Sequence, residues 1–587
     1  MILLPLLLGA ALQSGGDTSY FQQRVAYRIE ARLDERAQLL DGRLRMHYQN
    51  RAPQQLDTLW FHLHLNAFRP GSRWAARDQE QGRERFQALG PEDHAFERVR
   101  RISIGGRPVA PVFPLAPDST VMAVPLPRPL LTGDTVSVLV DWQARPSTLP
   151  RRQGRRGRQW DFAQWYPRIA VYDRDGWQVQ PLLPQGEFYG EFATYDVTLE
   201  VADDQVIGAT GVPVEGDPGW ERVAATAGTR PLYARDAYPH TAAAPLGLLS
   251  RPRPGQRQVR WRAEDVHHFA WSTSPEYIYE GGSWEDVAIH VLYRPGDTAW
   301  ARGVVVERTA AALAWYDTIF GDFPWPQLTA LHRIEGGGTE FPMMMMNGSP
   351  SLGLILHEGG HNYVHGILAN NEWREGWLDE GFVSFLTEWA LEERGQRVDW
   401  SRSREQLREV ERSGMSQPVD LPGEEFASEA VYGAMTYGKA ELVFRMLRDV
   451  MGPERLRQGL REFYRRHALQ HVREDDLVAA LESVHDGGLR WFFHQWLHTA
   501  DTLDYSVAAA RARVRTDGRW DVAVIIRRAG DIWMPVTVQV GAQRYRLASH
   551  EREQQLRLVL TERPAEVVID PEQVLLEVDV ANNRARF

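Results

Sequence analysis

The 587 residues carry a formal net charge of −11, with 43% apolar and 25% charged side chains. That balance supplies enough apolar residues for several packed cores and argues against a nucleic-acid partner, which would require a basic face. The absence of cysteine excludes disulfides, thiolate metal ligands, a Cys nucleophile and a Cys-linked lipid anchor.

The chain opens on MILLPLLLGAALQS, an apolar run ending in small residues. It reads as a signal peptide over 1–16, although the positive flank of such segments is missing. A secreted or periplasmic protein follows; if the run is instead a hydrophobic strand, the protein is cytoplasmic. No later run approaches the roughly 18 apolar residues that span a membrane.

From Tyr20 the pattern has period two. RVAYRIEARLDE, GRLRMHYQN, DTLWFHLHLNAF, TVSVLVDW and YDVTLEVADDQVIGATG alternate as half-buried strands do. Gly, Pro and Asp clusters break them as turns. The basic run RRQGRRGR, Arg151 to Arg158, is broken by glycine and reads as an exposed loop. The stretch 17–285 is therefore a large antiparallel β domain. Near Thr298 the period becomes helical, with AWARGVVVERTAAALAWYDTIFG ended by the prolines of GDFPWPQ. After the strand QLTALHRI the chain stays mostly helical to about His498, which makes 286–503 a second domain. Alternation returns from Asp504, and short strands at regular spacing predict a β-sandwich over 504–587.

The chemistry is concentrated in HEGGHNYVHGILANNEWREGWLDE, His357 to Glu380. On a helix His357 and His361 project from one face and can share a metal ion. Glu358 stands beside them, placed to take a proton from a water on that metal. Eighteen residues separate His361 from Glu380, at the start of a predicted helix. Two imidazoles and one carboxylate leave a position open, the pattern of a catalytic zinc. His365 extends the i, i+4 ladder, but Val364 and Ile367 stand where a third-histidine pattern needs Gly and His, so it reads as a packing or supporting residue. Gly359 and Gly360 each cost a helix about 1 kcal/mol relative to Ala, which predicts a close packing partner at that turn, with Gly336–Glu340 the nearest candidate.

In order, FGDFPWPQLTAL, GGGTEF, HEGGH, WLDEGF and TYGKAELV resemble the M1 family of zinc aminopeptidases, among the gluzincins. The resemblance covers about Tyr20 to the C-terminus and is most specific between Phe320 and Ala440. It implies a multidomain α+β fold with an N-terminal β-saddle domain, a thermolysin-like, mostly helical catalytic domain and a C-terminal β-sandwich. The large helical C-terminal domain of many members has no counterpart. It implies one zinc ion held by His357, His361 and Glu380, with Glu358 as general base and Tyr437 as oxyanion donor; Tyr432 is the nearest competitor.

The same resemblance places Glu340 on the substrate's free α-amine and Gly337 and Gly338 along its backbone, where glycine permits close approach. Thr339 and Phe341 depart from the family's Met and Asn. Gln164, in FAQWYPR, matches a glutamine that helps hold the amine, or it packs in a strand rich in Trp and Tyr. Met343 to Met346 read as core filling. Lys439, the chain's single lysine, follows Tyr437 by two residues; the sequence assigns it no role, and an ordinary solvated helix position is one reading. The implied reaction is hydrolytic removal of N-terminal residues from peptides with a free N-terminus. The alternatives are a related gluzincin endopeptidase or epoxide hydrolase, and a non-catalytic scaffold of the same shape.

Overall fold

The structure is a computed structural model that describes residues 20–224, 231–239 and 245–587; the segment 1–16, expected from the sequence to be a signal peptide, lies outside them. It is a mixed α and β protein. The hairpin Arg24–Asp34 and Leu39–Gln49 starts the largest sheet, in register from Arg24 opposite Gln49 to Asp34 opposite Leu39. The second strand buries every other residue, because successive side chains point to opposite faces. Around this hairpin an eight-stranded sheet forms. Ala193–Ala202 pairs parallel to Arg24–Asp34, and Thr135–Arg145 pairs antiparallel to Leu39–Gln49.

A five-stranded sheet underlies the candidate site. Its order is Ile278–Trp284, Val287–Tyr293, Gln327–His332, Met344–Asn347 and Glu340–Phe341. The first two strands form one hairpin across position 285, so an expected boundary there falls inside a sheet. Met343 to Met346 are fully buried. Thr339 and Met346 exchange backbone hydrogen bonds of 3.0 Å, which places Glu340 on the edge strand.

Helix Val304–Ile319 packs on this sheet and on helix Leu352–Tyr363. The latter begins at Ser351, whose hydroxyl accepts from the Leu354 N–H at 3.3 Å, a standard N-cap. Helix Glu380–Glu393 packs beside it. Beyond helix Arg490–Leu497 the chain returns to strands, in one three-stranded and one four-stranded sheet. Their inward residues, Val522, Val524 and Ile526 on one and Val536, Val538 and Val540 on the other, are buried. No described helix is long and apolar enough to cross a membrane.

Candidate active site

Helix Leu352–Tyr363 carries His357, Glu358 and His361, and helix Glu380–Glu393 begins with Glu380. The spacing brings three ligating atoms to one point. His357 Nε2 and His361 Nε2 stand 3.1 Å apart, and each lies 3.3 Å from Glu380 Oε2. Ligands about 2.0–2.1 Å from a tetrahedral ion stand about 3.3–3.4 Å apart, so the triangle has the size zinc requires. Glu380 Oε2 is buried with no hydrogen-bond partner, a costly state unless something cationic shares it. The residues therefore fit a zinc ion.

Asp379, the residue before Glu380, is fully buried and its Oδ1 lies 2.6 Å from His361 Nδ1. That contact fixes the ring so that Nε2 faces the site. Behind Asp379 lies Glu372, whose Oε1 is 2.7 Å from His365 Nδ1. His365 is thus linked to the triangle through two intervening residues, Glu372 and Asp379. It also joins His267 and His268 in a buried imidazole cluster. The Arg168 guanidinium lies against His268, which disfavours a second cation there.

Glu358 is buried beside the triangle, with Oε2 free of partners. Burial pushes its carboxyl up to about 7, against the opposing pull of His357. A carboxyl poised near neutrality suits a proton shuttle. Gly338 lies directly against it: a Cβ there would meet Glu358 Oε1 at 1.8 Å. Gly337 has φ 70°, a conformation open to glycine at no steric cost. The glycine segment thus packs on Glu358 and not on Gly359–Gly360, as the sequence reading expected. The partner at that turn is Tyr316, with its hydroxyl 2.3 Å from where a Gly360 Cβ would stand and Val383 3.0 Å away. The Tyr316 hydroxyl instead donates to the Leu356 carbonyl at 2.9 Å.

Tyr437 sits on a π-helical turn, Gly433–Lys439, the kind of irregularity that often marks functional sites. Its hydroxyl donates to Glu380 Oε1, the oxygen of that carboxylate turned away from the histidines. Burial, reinforced by Glu380, holds the phenol well above its ordinary range, so it stays a donor. Tyr432 is close by, its ring centroid 6.3 Å from that of Tyr437, but its hydroxyl has no hydrogen-bond partner. Lys439 does not occupy a solvated helix position. It is buried and desolvation lowers its amine to about 8.

Glu340 is buried close to the triangle: one of its oxygens lies within 4.8 Å of oxygens of Asp379 and Glu380. Gln164 follows strand Gln159–Phe162 at φ 54° and stands beside His64. No hydrogen bond links it to Glu340 or to the triangle. The basic run is an exposed loop only in part: Arg156, Gly157 and Arg158 are exposed, but residues 151–155 are not. Arg151 and the Arg152 backbone bond Glu335, while the Arg152 side chain reaches Glu187 and Glu340. Their acidic partners draw these arginines inward. Arg152, Glu187, Glu372 and Asp379 are the residues that sequence reasoning missed. Only Asp379, adjacent to Glu380, carried a local signal.

Fold and site together present an HExxH helix with a distant glutamate, a donor set whose geometry fits a zinc ion. Residues 346–496 match the peptidase family M1 domain. The chain is 27% identical over 151 residues to the glutamyl aminopeptidase of Bitis rhinoceros, covering 24% of this chain and 16% of the relative. It is 25% identical over 154 residues to the aminopeptidase N of Lactobacillus helveticus, covering 24% and 18%. The aligned part is thus less than a fifth of either relative. The fold resembles Legionella pneumophila aminopeptidase A in complex with aspartic acid, with TM-score 0.64 at 13% identity, over 96% of this chain and 60% of that one. It also resembles the M1 zinc metallopeptidase of Deinococcus radiodurans, with TM-score 0.53 at 14% identity, over 82% and 95%.

Proposed function

We propose that the protein is a zinc aminopeptidase that hydrolyses N-terminal residues from peptides, with one zinc ion held by His357, His361 and Glu380. The observation that carries this reading is the 3.1–3.3 Å triangle of ligating atoms with a buried, near-neutral Glu358 beside it. The bound ion would acidify a water and polarise the scissile carbonyl.

The chain's own residues do the rest. The Glu358 carboxylate takes the proton of the attacking water and returns it to the leaving amine. The Tyr437 hydroxyl, now donating to Glu380, turns to the oxygen that gains negative charge in the transition state. Glu340 receives the substrate's α-ammonium, and Gly337 and Gly338 leave room along the cleft for the substrate backbone. The expected three-part layout belongs to the same reading. A β-saddle domain precedes a thermolysin-like catalytic domain that ends near 503, and a C-terminal β-sandwich follows. The first boundary is best set before Ile278, because the hairpin across 285 belongs to the catalytic sheet. The resemblance to relatives named as aminopeptidases supports this reading over the endopeptidase and epoxide-hydrolase alternatives.

A panel of aminoacyl reporters with free and acetylated N-termini tests the proposal. Hydrolysis confined to free amines, and lost in Glu340→Gln, supports it. Equal hydrolysis of both forms points to an endopeptidase.

A further inference from the structure

A cleft outside the candidate active site gathers another set of metal-ligating side chains. It measures about 730 Å³, and His494, His498, Asp420, Glu474 and Glu375 line it. Three segments build it. Helix Arg490–Leu497 carries His494 in its last turn and is capped by His498, whose N–H donates to the His494 carbonyl at 3.0 Å. Four residues apart, the two imidazoles share one face, with ring centroids 5.9 Å apart. Asp420 is tied to that helix end, because the Val419 and Asp420 N–H groups donate to the Leu497 carbonyl at 2.8 and 3.0 Å. Glu474 opens helix Glu474–Glu482, and its N–H donates to Glu375 Oε1 at 3.0 Å.

Asp420, Glu474 and His498 each bring one ligating atom within 4.8 Å of the other two. The His498 ring meets both acids at once: Nδ1 lies 3.2 Å from Asp420 Oδ2, and Nε2 lies 2.9 Å from Glu474 Oε2. A ring that donates from both nitrogens is an imidazolium, so one positive charge faces two negative ones. The neighbouring cations do not close that gap. Arg473 is taken up by Asp173 and Asp175, Arg490 by Asp475, and Arg174 stands exposed. Glu375 adds acidity from the same cleft, where burial, reinforced by Asp420 and Glu474, pushes its carboxyl up to about 8. The Trp377 indole N–H donates to Asp420 Oδ1 at 3.1 Å, which steadies the carboxylate and leaves Oδ2 to His498.

We propose that His498, Asp420 and Glu474, with His494 completing the set, form a second metal site that takes a divalent transition-metal ion in exchange for the proton on His498. The exchange balances charge. Two carboxylates, two neutral imidazoles and a divalent ion sum to zero, whereas the protonated triad keeps one negative charge. Two imidazole nitrogens and two carboxylate oxygens suit ions of zinc-like softness, and not calcium or magnesium, which take all-oxygen shells. Four protein donors reserve no position for water, which is the pattern of a structural ion. The ion staples the end of helix Arg490–Leu497 to the start of helix Glu474–Glu482 and to the Asp420 segment. Through Trp377 it also braces the turn Gly376–Leu378 that leads into Glu380.

The test titrates untagged protein, preloaded with one equivalent of zinc, with Co²⁺ at pH 7, 8 and 9, followed by calorimetry and visible absorption. One further equivalent should bind, with the absorption of a four-coordinate cobalt site. Its apparent affinity should rise about tenfold or more per pH unit, because each ion displaces at least the His498 proton. Asp420→Asn, Glu474→Gln and His498→Gln should each abolish the event, and His494→Gln should weaken it. Thermal unfolding gives a second reading. Cobalt at pH 9 should raise the wild-type midpoint and leave those of the first three variants unchanged, with each variant's metal-free midpoint reporting that it has folded. His361→Ala should leave the event in place, so failure of the catalytic zinc reading and failure of this site are told apart. No further equivalent by pH 9, or one that survives in Asp420→Asn and His498→Gln, overturns the proposal.

Discussion

Two adjacent glycines in the metal motif should respond oppositely to a methyl group. At Gly359 a Cβ would find Ala312 Cβ at 3.4 Å and Met345 Sδ at 3.8 Å, ordinary contact distances. Gly359→Ala should therefore gain most of the roughly 1 kcal/mol by which alanine favours a helix. At Gly360 the methyl would stand 2.3 Å from the Tyr316 hydroxyl. Tyr316 would have to move and surrender its 2.9 Å bond to the Leu356 carbonyl. Overpacking costs about 1–3 kcal/mol and the lost bond about 1 kcal/mol, against the same helix gain of about 1 kcal/mol. Gly360→Ala should thus be destabilised by about 1–3 kcal/mol, which separates the two variants by about 2–4 kcal/mol. Thermal unfolding of both under one set of conditions, with retained zinc measured alongside, reads the difference. Equal midpoints, or a less stable Gly359→Ala, would refute the packing argument.

Other perturbations separate the parts of the site. Glu358→Gln should retain zinc and lose about 10²–10⁴ in kcat; a near wild-type rate removes Glu358 from the proton transfer. Asp379→Ala should weaken zinc binding about 10–100-fold by freeing the His361 ring, read by competition with a chromophoric chelator. His498 bonds Asp420 at 3.2 Å and Glu474 at 2.9 Å, and these partners raise its imidazole to about 10. Its pKa is raised on folding, so the stabilisation is complete below the unfolded value of about 6.5 and fades as pH rises to about 10. The group is half-exposed and screened, so His498→Gln should cost only about 1 kcal/mol. That loss should appear at pH 6 and vanish above pH 10; a pH-independent loss contradicts the ion-pair account.

The metal triangle was legible because helical periodicity alone puts His357 and His361 on one face, and Glu380 stands at a motif spacing. The strands of the N-terminal part were legible from alternation. The first half of the basic run was misread because glycine and charge are local cues for solvent, whereas Glu187, Glu335 and Glu340, the partners of Arg151 and Arg152, are distant in sequence. Lys439 could not be placed for the same reason: whether a lone charge on a helix is solvated depends on packing from other segments. Glu187 carried no local signal, since its meaning depends on Arg152 and Glu340 meeting it in space. The twin glycines announced a close contact, but only the fold identified Tyr316 as the neighbour.

The central claim is that His357, His361 and Glu380 hold a zinc ion required for removing N-terminal residues. Chelator-stripped protein, titrated with zinc while hydrolysis of a free-amine aminoacyl reporter is followed, tests it most directly. Activity should be absent in the stripped protein and rise to a plateau at about one equivalent of zinc. Full activity in demonstrably metal-free protein would contradict the account.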